Sequence, residues 1–445
     1  MLEYPIFDVP LLGGSGLIAV MAIVHVFISH FSVGSGFLMA AAERRAIREQ
    51  DSATIAFLRQ YSWLILLGPY VLGTVTGVGI WFTIALVAPR AVSILIHQFV
   101  WDWAIEWVLF IIEGLVIFIY AFRWDKMDPR KHNRLAWIFA FTSLGTLLII
   151  NAILSFMLTT GSWQPFDAGF MNYKGILNPT YLPTAAARFL ISLALAGVGA
   201  IVLVSWDRRT SEQTRNRIVP LALKFIIPAL LCIPLGGWTF SQLSERAQTF
   251  LMGGAPAMVL FLGFGMAAFL TLSFAAIVSM VRKDFAVSSL GAILLGLLAF
   301  IAFGAMEFVR EGVRKPYVIE GFMYSTGVTA PGYEDLDPRG NLTHTQRAGI
   351  LSASGWAVPS GVEPASLAGA ELGKAVFKAA CLRCHSVDGY NAIRPLVRGW
   401  SQETVRETLD KLDEVKPAMP PFPGTDSEKQ ALAEFLMTLN ANDDE

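Results

Sequence analysis

The chain has 445 residues; 54% are hydrophobic, only 16% are charged, and the formal net charge is −1. A soluble domain carries about 25% charged residues, so this deficit, with a mean hydropathy of +0.53, points to an integral membrane protein. The near-neutral charge gives no footprint for nucleic acid, and three cysteines, with Cys232 alone in an apolar run, imply no disulfide framework.

Eight apolar segments follow in chain order, at roughly 16–41, 62–88, 95–122, 135–158, 185–206, 218–240, 256–281 and 287–310. Each is near or above the ~20 residues needed to span a bilayer. The first is too long for a signal peptide and lacks a small-residue cleavage site, so it reads as a retained anchor. The loops after segments one, three, five and seven hold fifteen Arg and Lys, including Arg44, Arg45, Arg48, Arg130, Lys131, Arg208, Arg209 and Lys283. The loops between them hold Arg90, Lys174, Arg188 and Arg246. The positive-inside rule puts the first set in the cytoplasm. With eight spans both termini are then expected outside.

Ionisable residues inside spans are costly and are functional candidates by default. Segment one holds His25 and His30, which point about 140° apart on a helix and cannot serve one site. Each is a candidate haem ligand or a hydrogen-bonded core histidine. Segment three holds Asp102, Glu106 and Glu113, all within about 40° of one helix face. That stripe reads as a proton path, a haem-propionate environment, or a set of structural hydrogen bonds. His97 is expected near the outer end of the same helix, pointing away from Glu106. Segments five to seven carry few ionisable groups; Met258, Met266 and Met280 in segment seven read as packing. At the end of segment eight Glu307 and Glu311 share a face, with Arg310 and Arg314 as the basic pair. Interfacial salt bridging and a carboxylate iron ligand beside a propionate-neutralising Arg are the two readings.

Residues 325–366 are rich in Gly, Pro, Ser and Thr and read as a linker. The expected division is therefore a bundle at 1–324, a linker at 325–366 and a small domain at 367–445. That domain opens with a helix at about 366–380 leading into Cys381-Leu382-Arg383-Cys384-His385. In this motif two thiols form thioethers to one covalent haem c, and the imidazole is the proximal iron ligand. Met419, held between prolines in Pro417-Ala418-Met419-Pro420-Pro421, is the candidate second axial ligand. Met437 competes but lies inside the closing helix, about 427–439. With Gly373 and Phe377 ahead of the motif, this tail resembles a small class I cytochrome c. Haem c is attached on the outer side of a bacterial inner membrane, which agrees with the topology read from the loops.

Over roughly residues 10–320 the chain resembles subunit I of the cytochrome bd-type oxygen reductases. His25 followed by Glu43, Glu113 followed by Trp124-Asp125, His132 with Trp137, Gly161 to Pro165, and Glu311 to Tyr317 follow the family pattern in order and spacing. The last stretch is similar to the E-x-G-R-Q-P-W signature. The resemblance implies that His25 and Glu311 ligate two high-spin haems, with Arg314 near propionates. It also implies that Glu113 carries protons, with Glu106 one residue from the family's other glutamate. Two or three non-covalent haems, b and/or d, and a second related membrane subunit are implied as well.

Two departures stand out. The family's long quinol loop between helices six and seven is reduced here to about 241–255. Where a low-spin haem histidine should follow Asn178-Pro179, the chain reads Ala185-Ala186-Ala187-Arg188. Met266 falls near the other low-spin position, so that haem is missing or rebuilt with His30 or His97. The resulting expectation is an all-α fold, an eight-helix transmembrane bundle plus a cytochrome c domain, in a bacterial inner membrane with the cytochrome outside. It would take electrons from a periplasmic donor cytochrome and pass them to O2. Nitric oxide reduction, quinol-to-cytochrome c transfer and a non-enzymatic electron-transfer role are the alternatives.

Overall fold

The computed structural model describes residues 5–165, 173–206, 210–282 and 288–440; Arg208, Arg209 and Lys283 lie outside them. Among the described residues eight helices are long and apolar enough to cross a membrane. Spans one to four are Gly13–Glu49, Ser52–Val87, Val100–Phe122 and Pro129–Phe156. Spans five to eight are Tyr181–Trp206, Glu212–Gln242, Pro256–Val281 and Ser289–Val313. In lipid every backbone polar group must be satisfied internally, which selects helices. Spans two, four and six begin on acceptors for orphan N–H groups. Asp51 accepts from Thr54 N, Asp128 from Arg130 N and Lys131 N, and Ser211 from Thr214 N.

Span two is not a uniform helix. Leu66–Leu72 is π-helical with Pro69 inside it. Proline has no N–H to give and its ring crowds the preceding turn, so the turn widens. Span six has a corresponding 3-10 stretch, Ile227–Leu231, that begins at Ile227-Pro228.

The contacts divide the chain into two compact units, Ile23–Val78 with Gln98–Val313, and Met1–Ala22 with Gly79–His97 and Arg314–Glu445. The core of the first unit includes Leu38, Phe57, Tyr61, Tyr120, Phe139 and Ile201. Lipid is as apolar as these side chains, so close packing rather than water exclusion holds the helices together. Gly34 shows how close: a Cβ there would overlap the Ser192 carbonyl of span five.

The second unit contains the tail. Its leading helix Gly369–Ala380 crosses the closing helix Asp426–Thr438 where a Cβ on Gly373 would overlap the Ala431 carbonyl. Phe377 and Phe435 meet beside that crossing, with ring centroids 5.6 Å apart.

Three expectations are corrected here. His97 is not on span three but on a separate helix, Pro89–Gln98, where Nδ1 donates to Ser93 O at 2.7 Å and the ring is exposed. Arg188 is not a loop residue but lies buried within span five. Residues 325–366 are not a loose linker. Thr329, Asn341 and Thr345 are fully buried, and Asn341 Nδ2 donates to Ala330 O at 2.6 Å. The Glu428 carboxylate accepts from Ile350 N at 2.9 Å and Leu351 N at 3.2 Å while also closing a capping box with Thr425. The polar residues that suggested flexibility are spent on buried backbone groups.

Candidate functional site

The ring of His25 lies against span two. Nδ1 meets the Gly73 carbonyl and Thr76 Oγ1, each at 3.1 Å. The Thr76 hydroxyl donates to Leu72 O at 2.9 Å or Gly73 O at 3.0 Å, so toward His25 it accepts. Nδ1 therefore carries the proton and Nε2 keeps its lone pair, the form in which imidazole binds a metal. Nε2 has no hydrogen-bond partner among the described residues. Gly77 makes room for the ring, since a Cβ there would stand 3.0 Å from Cε1.

His30 differs in that respect. Nδ1 donates to Val26 O at 2.8 Å, and Nε2 accepts from Arg188 Nη1 at 3.3 Å. Both nitrogens are committed. Arg188 also donates to Glu307 at 2.9 Å, and Arg310 donates to the other Glu307 oxygen at 2.8 Å. Within the Arg188–Glu307–Arg310 triad, Arg188 and Glu307 are buried and Arg310 is half-buried. Glu311 is half-buried just beyond it. Arg314 Nη1 donates to Val318 O at 2.9 Å.

On span three Asp102 and Glu113 are buried and Glu106 is half-buried, while Trp101, Trp107 and Val108 on other faces are exposed. The carboxylates do share an inward face. Glu113 accepts from Ser143 Oγ at 2.9 Å and from Thr146 Oγ1 at 2.5 Å, both on span four. Glu106 makes no hydrogen bond among the described residues, and Asp102 Oδ2 is buried without a partner.

A further buried cluster lies on spans one, three and four. His132 Nε2 donates to Tyr120 O at 2.9 Å, and Nδ1 is 2.5 Å from Glu43 Oε1. Tyr120 Oη and Asn133 Nδ2 donate to Glu43 Oε2, each at 3.2 Å. A carbonyl only accepts, so Nε2 must be protonated and the dyad holds one shared proton between Nδ1 and Oε1. Sequence spacing gave Glu43 and His132 but not their pairing. Thr76, Ser143 and Thr146 were missed because a hydroxyl in an apolar span has no pattern of its own; only facing helices reveal it.

In the tail, Cys381 and Cys384 form no disulfide and are half-buried. Burial, with Cys384 adding to it, pushes the Cys381 thiol up to about 12. His385 Nδ1 donates to Asn391 O at 3.0 Å, again leaving Nε2 for iron. Burial lowers the His385 pKa, with the Asn391 hydrogen bond opposing. Met419 sits half-buried at the end of a turn, its N–H donating to Lys416 O at 2.7 Å.

Residues 17–252 match the family described as cytochrome bd terminal oxidase subunit I. The chain belongs to that family. Residues 368–436 match a second family, described as cytochrome c oxidase, cbb3-type, subunit III. The bd-type fold also matches the structure of a bd oxidase from Geobacillus thermodenitrificans, with a TM-score of 0.62 and 17% identity over 70% of this chain and 89% of that one. No curated protein matches. The chain is thus a multi-pass, bd-type membrane oxidoreductase subunit fused to a c-type cytochrome.

The bd family supports b- or d-type haems and the tail supports haem c. The residues fit a haem c at Cys381, Cys384 and His385, and they fit an iron at the unspent lone pair of His25. They do not fit a low-spin haem at His30 or Arg188: His30 offers no lone pair, and the position expected to supply a histidine carries a guanidinium locked to Glu307. Met266 is half-buried on span seven, and His97 is exposed and bonded to its own helix.

Proposed function

We propose that this chain is the haem-bearing subunit of a terminal oxygen reductase that draws electrons through its own c-type cytochrome, which would face the periplasm. One observation carries the reading. A bd-type core and a c-type cytochrome domain share one chain, and only residues 243–255 connect spans six and seven, too few for a quinol-oxidising loop.

In this reading Cys381, Cys384, His385 and Met419 hold haem c, and a periplasmic cytochrome reduces it. His25 through Nε2 and Glu311 through its carboxylate hold two non-covalent haems, b or d, with Arg314 neutralising propionates. Those haems supply dioxygen binding and electron transfer. The chain's own task is protons. Glu113 holds one at its carboxylate, where Ser143 and Thr146 stabilise the ionised form, and Glu106 and Asp102 continue the same helix face. A second bd-type membrane subunit completes the complex.

A pyridine haemochrome assay with a carbon monoxide difference spectrum of the purified complex tests this. One haem c, non-covalent haems, a carbon monoxide-binding fraction and oxygen uptake driven by reduced cytochrome c are expected. Core haems that are all six-coordinate and silent to carbon monoxide would overturn it. Turnover with nitric oxide alone, or anaerobic reduction of haem c by a quinol analogue, would reassign the acceptor or the direction.

A further inference from the structure

The loop that carries the haem c ligands is held by the head of span one. Ser15 Oγ donates to Cys384 O at 3.2 Å, and Tyr390 N donates to Leu11 O at 2.6 Å. Leu11 and Gly389 form a parallel bridge. Gly389 adopts φ +101, and a Cβ there would overlap the Leu11 backbone.

Between these anchors lies Asn391. Its carbonyl accepts from His385 Nδ1, and its Nδ2 donates to Cys384 O at 2.7 Å. Cys384 O thus accepts from Asn391 and Ser15 together. Left-handed backbone gathers at this joint: Leu11 at φ +66 and Asn391 at φ +51, neither a glycine, and Gly13 at φ +67. Such conformations in non-glycine residues persist only where surrounding contacts over-determine them, and they mark functional joints. Farther along the same unit, Arg90 pairs with Asp337 in a half-buried ion pair, against Gly340. The cytochrome is therefore fastened at several points rather than tethered.

We propose that the head of span one, through Leu11 and Ser15, is the seat from which haem c delivers its electron to the core. Asn391 is the positioning residue that ties the proximal ligand to that seat. This rests on the proposed direction of flow. The step is one electron leaving the ferrous c-haem iron for an oxidised haem of the bd core; no bond forms or breaks and no proton moves at Ser15 or Asn391. The same continuous helix carries His25 ten residues further on.

The test is carbon monoxide photolysis of the partly reduced holoenzyme, following electron exchange at the α-band of haem c. Gly389→Ala, which wedges a methyl against Leu11, is expected to slow exchange by roughly tenfold or more, as misplacing reacting partners does. Haem c content and potential should be unchanged. Should Gly389→Ala lose haem c, Ser15→Ala carries the test, because it removes one hydroxyl and inserts nothing; slower exchange at unchanged potential is again expected. Unchanged exchange in a haem-replete variant would overturn the seat and leave the proposed function standing. Slowing that follows a shift in haem c potential would overturn it too, since driving force would then explain the effect. No exchange in the unaltered protein would overturn the direction of flow itself.

Discussion

His25 and His385 both donate through Nδ1 and so keep Nε2 for the irons proposed for them, but they reach that imidazole form by opposite routes. In the tail, the acceptor for Nδ1 is Asn391, six residues away in the same loop, and the two cysteines proposed to hold the haem lie just ahead of it in the chain. In the bundle, the acceptors are Gly73 and Thr76, 48 and 51 residues away on another span. In the tail the acceptor that sets the imidazole form comes from the histidine's own loop. The bundle site exists only while two helices hold their relative rotation.

The largest break in that comparison comes from the thiols. Replacing Cys381 and Cys384 with Ala should abolish the haem-staining band on a denaturing gel. The spectrum of the non-covalent haems should persist, because nothing in His25's surroundings depends on the tail motif. Retained staining would mean that another residue holds the haem.

Next is the clamp across spans one, three and four. His132→Ala leaves the buried Glu43 carboxyl without its imidazole partner, and removing one partner of a buried pair costs about 3–5 kcal/mol. Thermal unfolding in detergent should show this, with haem c staining unaffected. A loss below about 1 kcal/mol, the range of an exposed pair, would show that water reaches the dyad.

His25→Ala should remove one high-spin haem signal from the reduced-minus-oxidised spectrum. Thr76→Val keeps the shape but removes the acceptor, and should weaken retention of that haem by about 10–100-fold, the usual cost of losing a ligand's outer partner. Haem loss on dilution measures it, and an unchanged rate would mean that Gly73 O alone orients the ring.

The smallest effects belong to the tail. Met419→Ala should leave haem c attached but lower its potential, since a Met ligand raises it. Asn391→Gly keeps the left-handed backbone and its carbonyl, and should shift the potential less than Met419→Ala in a redox titration.

The same contrast explains what could be read from the chain. CLRCH is five contiguous residues, so its chemistry is legible without a structure. The eight spans are legible because hydropathy and basic loops act over whole segments. Asp102, Glu106 and Glu113 were placed on one face by helical periodicity alone. Arg188 was misplaced because its charge suggested a loop, whereas Glu307, more than a hundred residues later, neutralises it inside the bundle. Residues 325–366 were misread because composition reports polarity and not whether a polar group is buried against backbone.

The π-helical stretch at Pro69 has a consequence for how span two is phased. Tyr61 Oη lies 2.8 Å from Ser35 Oγ of span one, and Gly73 O receives the His25 proton, also from span one. In a regular helix, residues twelve apart stand about 120° out of line. The widened turn takes up that angle and lets one span face the same neighbour both before and after it. Span two thus works as a shaft with an offset coupling, and the coupling aims the acceptors at His25. A π-turn is a helix carrying one residue too many for its pitch, so the orientation of the His25 ring is set by a surplus residue on a different helix.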